Sequence, residues 1–125
     1  MAVGSAGPDI LDAKLHPPPP RQGVVDRTRL LGMLSAAPDA SVVAVIAPLG
    51  YGKTTLLTQA SAADPRPTAW VTLDRRDDDP VVLIAHIVAA LEPVSPDRHA
   101  LDEVLTAPGA SVWWSLMPRL GAVLV

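Results

Sequence analysis

Ala47-Pro48-Leu49-Gly50-Tyr51-Gly52-Lys53-Thr54-Thr55 joins a turn-forming stretch to a lysine and adjacent hydroxyls. Residue types at this spacing suit the holding of a polyphosphate. Gly50 and Gly52 allow positive φ, which turns successive backbone N–H groups toward one point. A helix starting at Lys53 would add the positive end of its dipole to that cradle. The Lys53 ammonium can reach β- and γ-phosphates, and the Thr54 hydroxyl suits a Mg²⁺ ligand. The run fits A/G-x-x-x-x-G-K-S/T, with Ala47 in the slot more often held by glycine. A chance match in a chain of this length is an event on the order of one in a hundred.

Such a loop needs an element on each side to hold it. Ser41–Ala47 reads as a buried strand, because Val42 to Ile46 is a continuous apolar, largely β-branched run of the parallel-sheet kind. Lys53–Ala63 reads as a helix with Leu56, Leu57, Ala60 and Ala63 on one stripe, closed by Pro65 and Pro67. Thr68–Leu73 reads as a second strand. Asp79 is then an N-cap with Pro80 at the first helical position, opening a buried helix through Ile87, Val88 and Leu91. By composition alone Val81–Ile84 would also suit a strand. Upstream, Asp26 is the expected N-cap of a helix carrying Leu30, Leu31 and Leu34, with Val25 and Leu30 as a hydrophobic staple and Ala37-Pro38-Asp39 as its end. Downstream, Ala100–Thr106 and Ser111–Met117 read as short helices, the second stopped by Pro118. Strand, loop, helix, strand, helix is a βαβ order. The expected fold class is therefore α/β, a partial P-loop NTPase with a parallel sheet, flanking helices and only its N-terminal half represented.

Bulk properties narrow the field. A hydrophobic fraction of 49% supports a core, and aromatics at 3% leave it to Val, Leu, Ile and Ala. A net charge of −3 argues against a general nucleic-acid surface. Without cysteine there is no disulfide, thiolate metal site or thiol nucleophile. No run approaches the ~18 apolar residues of a membrane span, and residues 1–20 lack the apolar stretch of a signal peptide. The expectation is a cytoplasmic protein with a flexible Pro-rich tail over 1–20 and a nucleotide-binding domain over 21–125. Pro17-Pro18-Pro19-Pro20 reads as a stiff lead-in rather than a recognition peptide.

Three stretches together resemble a known family. They are Lys14-Leu15-His16-Pro17-Pro18 with Val25-Asp26-Arg27-Thr28-Arg29-Leu30-Leu31, the loop Ala47–Thr55, and Ala69-Trp70-Val71-Thr72-Leu73-Asp74 with Asp77-Asp78-Asp79-Pro80. Their order and spacing resemble the N-terminal ATPase module of the large LuxR-type, maltose-regulator-like transcriptional activators, which are signal-transduction ATPases with numerous domains. The resemblance covers residues 14 to 92. It implies ATP and Mg²⁺ as ligands, with Lys53 on the β/γ-phosphates, Thr54 on the metal and Thr55 near the α-phosphate. It also implies that Val25–Arg29 lies near the base, with Arg27 at the family's recurrent arginine. In the family, ATP switches a long regulator between resting and oligomeric states, and a C-terminal helix-turn-helix domain binds DNA.

The family pattern also asks for a Walker B strand ending in acids. Ala122-Val123-Leu124-Val125 reads as its start, with no carboxylate after it. Without that acid Mg²⁺ is poorly held and water is not oriented for attack. Asp74 is a candidate substitute, although a solvated loop carboxylate is the simpler reading. Asp77–Asp79 could form a metal cluster, although helix capping accounts for them. His16, His86 and His99 show no ligand spacing, and His86 in an apolar helix reads as a packed side chain. At least one ring of Trp113-Trp114 is expected to be exposed. The leading expectation is ATP binding by a fragment of a LuxR-type regulator, without hydrolysis or DNA binding of its own. Its expected partners are a nucleoside triphosphate and full-length relatives or a missing C-terminal portion, with no membrane. A gene remnant or partial sequence without activity is one alternative, and a small P-loop kinase is another.

Overall fold

The computed structural model describes residues 9–36, 42–95, 118 and 121. The chain divides into two units, one formed by Pro18–Thr68 and the other by Met1–Pro17 with Ala69–Val125.

In the Pro18–Thr68 unit, α1 (Thr28–Ser35) packs on α2 (Lys53–Ala63). The expected bounds of α2 are met: Gly52 in the left-handed region immediately precedes its first residue, and Leu56 N–H to Gly52 C=O at 3.0 Å closes its first turn. Among the described residues of this unit, Leu56 is the buried hydrophobic. α1 differs from expectation at its start. Its N-cap is Arg27, with no side-chain cap, so Asp26 does not cap it. Val25 is 77% exposed, and with Arg27 at the N-cap the two staple positions fall at Asp26 and Leu31 instead of Val25 and Leu30. An eight-residue helix is too short to be stable alone. Its support is tertiary.

In the other unit, α3 (Pro80–Leu91) starts as its sequence predicts. Asp79 Oδ1 accepts from Val81 N–H at 2.8 Å, and Pro80 occupies the first turn, where its missing N–H has no intrahelical role. Ile84, Ala85, Val88, Ala90 and Leu91 are buried. α3 packs on a 3₁₀ turn, Arg75–Asp78, closed by a reciprocal capping box between Asp74 and Asp77. A second 3₁₀ turn spans Asp12–Lys14.

The expected α/β class is overturned. The described residues form three α-helices and two 3₁₀ turns, and there is no strand among them. The reason is pairing. A β-branched run becomes a strand only when a neighbour takes up its N–H and C=O groups. The backbone of residues 42–46 makes no hydrogen bond among the described residues, and Val42 and Ile46 are 85% and 92% exposed. Residues 69–73 are tied to the Asp12–Lys14 turn by a single backbone bond, Thr72 N–H to Lys14 C=O at 2.8 Å, which is not a ladder. A parallel sheet is therefore not what holds the loop. Ser41, His99, the helices expected over Ala100–Thr106 and Ser111–Met117, Trp113-Trp114 and the Ala122–Val125 strand start lie outside the described residues. Among the described residues no helix is long and apolar enough to cross a membrane.

Candidate functional site

The site is built within the Pro18–Thr68 unit around the start of α2. Gly50 and Gly52 have φ of +84° and +74°, a region in which a side chain would be strained. Between them Tyr51 N–H reaches back to Pro48 C=O at 3.4 Å, drawing the loop into a turn. Lys53 folds over that turn: its ammonium donates to Ala47 C=O at 2.6 Å and to Pro48 C=O at 2.9 Å. Among the described residues no side chain caps α2, so its first-turn amides have neither an intrahelical acceptor nor a side-chain one there. A cation and a set of free N–H donors thus stand together at the positive end of a helix.

A second segment closes on the loop. The Arg27 guanidinium lies against Gly52, where a Cβ would collide with its terminal nitrogen and approach Cζ to 3.0 Å. Gln59 holds the backbone of that segment. Its Oε1 accepts from Arg27 N–H at 3.3 Å and its Nε2 donates to Val25 C=O at 3.2 Å.

These parts border a cleft of about 600 Å³. Leu49, Gly50, Gly52, Lys53, Thr54 and Thr55 line it on the loop side. Pro18, Pro19, Pro20, Arg21, Val24 and Asp26 line it from the segment before α1, and Thr58 and Gln59 from further along α2. Of the remaining sequence candidates, Ala47 and Pro48 act through their carbonyls on Lys53, Arg27 touches Gly52, and the Tyr51 side chain is exposed and does not line the cleft. The proline stretch, read as a lead-in, is cleft wall. Gln59 belongs to no sequence motif. The signal was there, since Thr55, Thr58 and Gln59 fall at i, i+3 and i+4 on one face of α2.

The other unit holds a buried polar cluster. Lys14 Nζ donates to Asp77 Oδ2 at 2.6 Å and lies 3.1 Å from Asp74 Oδ1. His86, 1% exposed, places Nδ1 at 3.0 Å from Val82 C=O and 3.2 Å from Asp77 Oδ1, while Nε2 faces Leu11 N–H at 3.3 Å. Asp77 Oδ1 is close to that ring but makes no aligned hydrogen bond among the described residues. Burial pulls the Lys14 pKa down, yet the hydrogen bonds and charges of Asp77 and Asp74 outweigh it and hold it above the usual lysine value. The Lys14 hydrogen bond, then the Asp74 N–H, holds Asp77 below the usual carboxylate range. Asp74 is lowered by the Arg76 N–H and then by Lys14. Asp74 is thus engaged in capping and an ion pair. Among the described residues no group of three acidic or histidine side chains is placed to hold a metal ion; Asp77 is engaged by Lys14, and Asp79 caps α3.

Curated relatives that match most of the chain include several HTH-type transcriptional regulators MalT. Identity is 33% over 96 residues with that of Cronobacter sakazakii, covering 77% of this chain and 10% of that protein. It is 32% over 96 residues with that of Klebsiella pneumoniae, covering 77% and 10%. With that of Yersinia enterocolitica it is 37% over 97 residues, covering 78% and 11%. The chain thus spans about a tenth of the length of the curated relatives it matches, and over that stretch it is related to MalT-type transcriptional regulators. No protein-family model and no solved structure matches it.

Proposed function

We propose that this chain binds the polyphosphate of a nucleoside triphosphate, ATP, in the cleft of the Pro18–Thr68 unit, as the N-terminal nucleotide-responsive part of a LuxR-type, MalT-like regulator. The observation that carries the reading is the loop itself. Positive-φ glycines at 50 and 52, the Lys53 ammonium and an uncapped α2 converge on one side of a single cleft. Its volume of about 600 Å³ falls within the ordinary size of small-molecule sites. Polyphosphate would take over Lys53 from the carbonyls of Ala47 and Pro48, exchanging neutral acceptors for charged ones. Mg²⁺ keeps several waters and leans on substrate phosphates, so the single Thr54 hydroxyl fits a metal that arrives with its nucleotide. Bound Mg²⁺ would neutralise phosphate charge.

Hydrolysis and DNA binding are no part of this proposal. Asp74, the substitute acid, is spent on Lys14 and on the Arg76 N–H. The regulator named among the relatives acts on transcription; this chain would contribute the nucleotide-dependent step and pair with longer relatives or with further chain.

The test is thermal unfolding and calorimetric titration with ATP and Mg²⁺ on the wild type and Lys53→Ala. A ligand that binds only the native state adds about 2.7 kcal/mol at a concentration of 100 Kd. Wild type should be stabilised and Lys53→Ala should not. Equal behaviour of the two proteins would sink the proposal.

A further inference from the structure

We infer that Gln59 is a positioning residue, an amide clamp that fixes the nucleoside-facing wall of the cleft relative to the phosphate loop; this rests on the nucleotide-binding reading above. The clamp grips backbone at both ends. Oε1 accepts from Arg27 N–H and Nε2 donates to Val25 C=O, across 32 and 34 positions of chain. The amide's orientation follows from its partners, because turning it over would face N–H against N–H and C=O against C=O. Asp26, between the two gripped groups, lines the cleft. Residues 24–27 belong to no helix or strand, so side-chain bonds and packing must hold them.

Gln59 grows from the same helix whose first residues are Lys53 and Thr54. Clamping 25–27 to it therefore sets a distance between two walls of unlike chemistry. One wall has an ammonium and free amides. The other has Pro18–Pro20 and Val24 as apolar surface for a heterocycle, with Asp26 as an acceptor for a sugar and Arg21 as a cation beside them. A whole nucleotide needs both walls in register, whereas a bare polyphosphate needs only the loop. Removing the clamp should weaken nucleotide binding and spare polyphosphate.

The experiment compares ATP with inorganic tripolyphosphate, both with Mg²⁺, on the full chain and on Gln59→Leu and Gln59→Glu. The Leu variant removes both bonds; the Glu variant keeps the acceptor for Arg27 N–H but turns an oxygen on Val25 C=O. Both should lose roughly tenfold in ATP affinity while tripolyphosphate stays within about twofold. Amide exchange over residues 21–31 should quicken in both, with that of α2 unchanged. Retained tripolyphosphate binding shows that the loop still stands, and if the Leu variant does not fold the Glu variant carries the comparison. Equal losses for the two ligands, no loss of ATP affinity, or unchanged exchange over 21–31 would overturn the clamp alone. Failure of the wild type to bind either ligand would overturn the nucleotide reading and the clamp with it.

Discussion

Lys14 and Asp77, 63 positions apart in the chain, meet at 2.6 Å with both side chains buried. The pair makes the stability of its unit depend on pH at both ends. Asp77 and Asp74 have lowered pKa values, so their contribution is present above the unfolded carboxylate pKa and is lost as pH falls through the lower native values. Lys14 has a raised pKa, so its contribution is present below the unfolded lysine pKa and is lost as pH rises through the higher native value. Through these three groups the thermal midpoint should fall as pH drops below the unfolded carboxylate range, about pH 4, and as it rises past the unfolded lysine value, about pH 10. Lys14→Met should lower the plateau and blunt the acid limb. An acid limb as steep in the variant as in wild type would count against the pair.

His86 should carry its proton on Nδ1. Nε2 faces the Leu11 N–H and must accept, while Nδ1 sits 3.0 Å from Val82 C=O and must donate. Nitrogen-15 NMR at neutral pH should show the Nδ1–H tautomer, and observing Nε2–H would refute the Leu11 contact.

Asp79→Ala should cost ~1 kcal/mol, because the Val81 N–H loses its side-chain acceptor. Chemical denaturation measures this directly. Asp79→Asn, which keeps an acceptor oxygen, should recover most of the loss, and no recovery would mean that the carboxylate acts mainly by charge.

The two loop glycines should separate strain from crowding. Gly50→Ala meets open space, so its effect is the left-handed backbone penalty, about 1 kcal/mol. Gly52→Ala adds a collision with the Arg27 guanidinium, which is the far end of a flexible side chain and can swing away. The two variants should lose similar stability, but only Gly52→Ala should displace Arg27 and lower ATP affinity several-fold more. Equal ATP affinities in the two variants would remove Arg27 from the site.

What the sequence alone determined was local. The start of α2 follows from Gly52 and Lys53, and the start of α3 from Asp79 and Pro80, because a left-handed glycine or an N-cap acts within a few residues of itself. The loop's residue types were legible for the same reason. Tertiary structure decided everything that needs a distant partner. Val42–Ile46 has strand composition, yet composition supplies no neighbour to pair with, and the described residues offer none. Nothing in the spacing of Lys14, Asp77 and His86 foretells a buried cluster, and nothing near Gln59 foretells its grip on Val25 and Arg27. A helix start is a matter of nearest neighbours, whereas an ion pair or an amide clamp exists only once folding has brought remote segments to within 3 Å or so of each other.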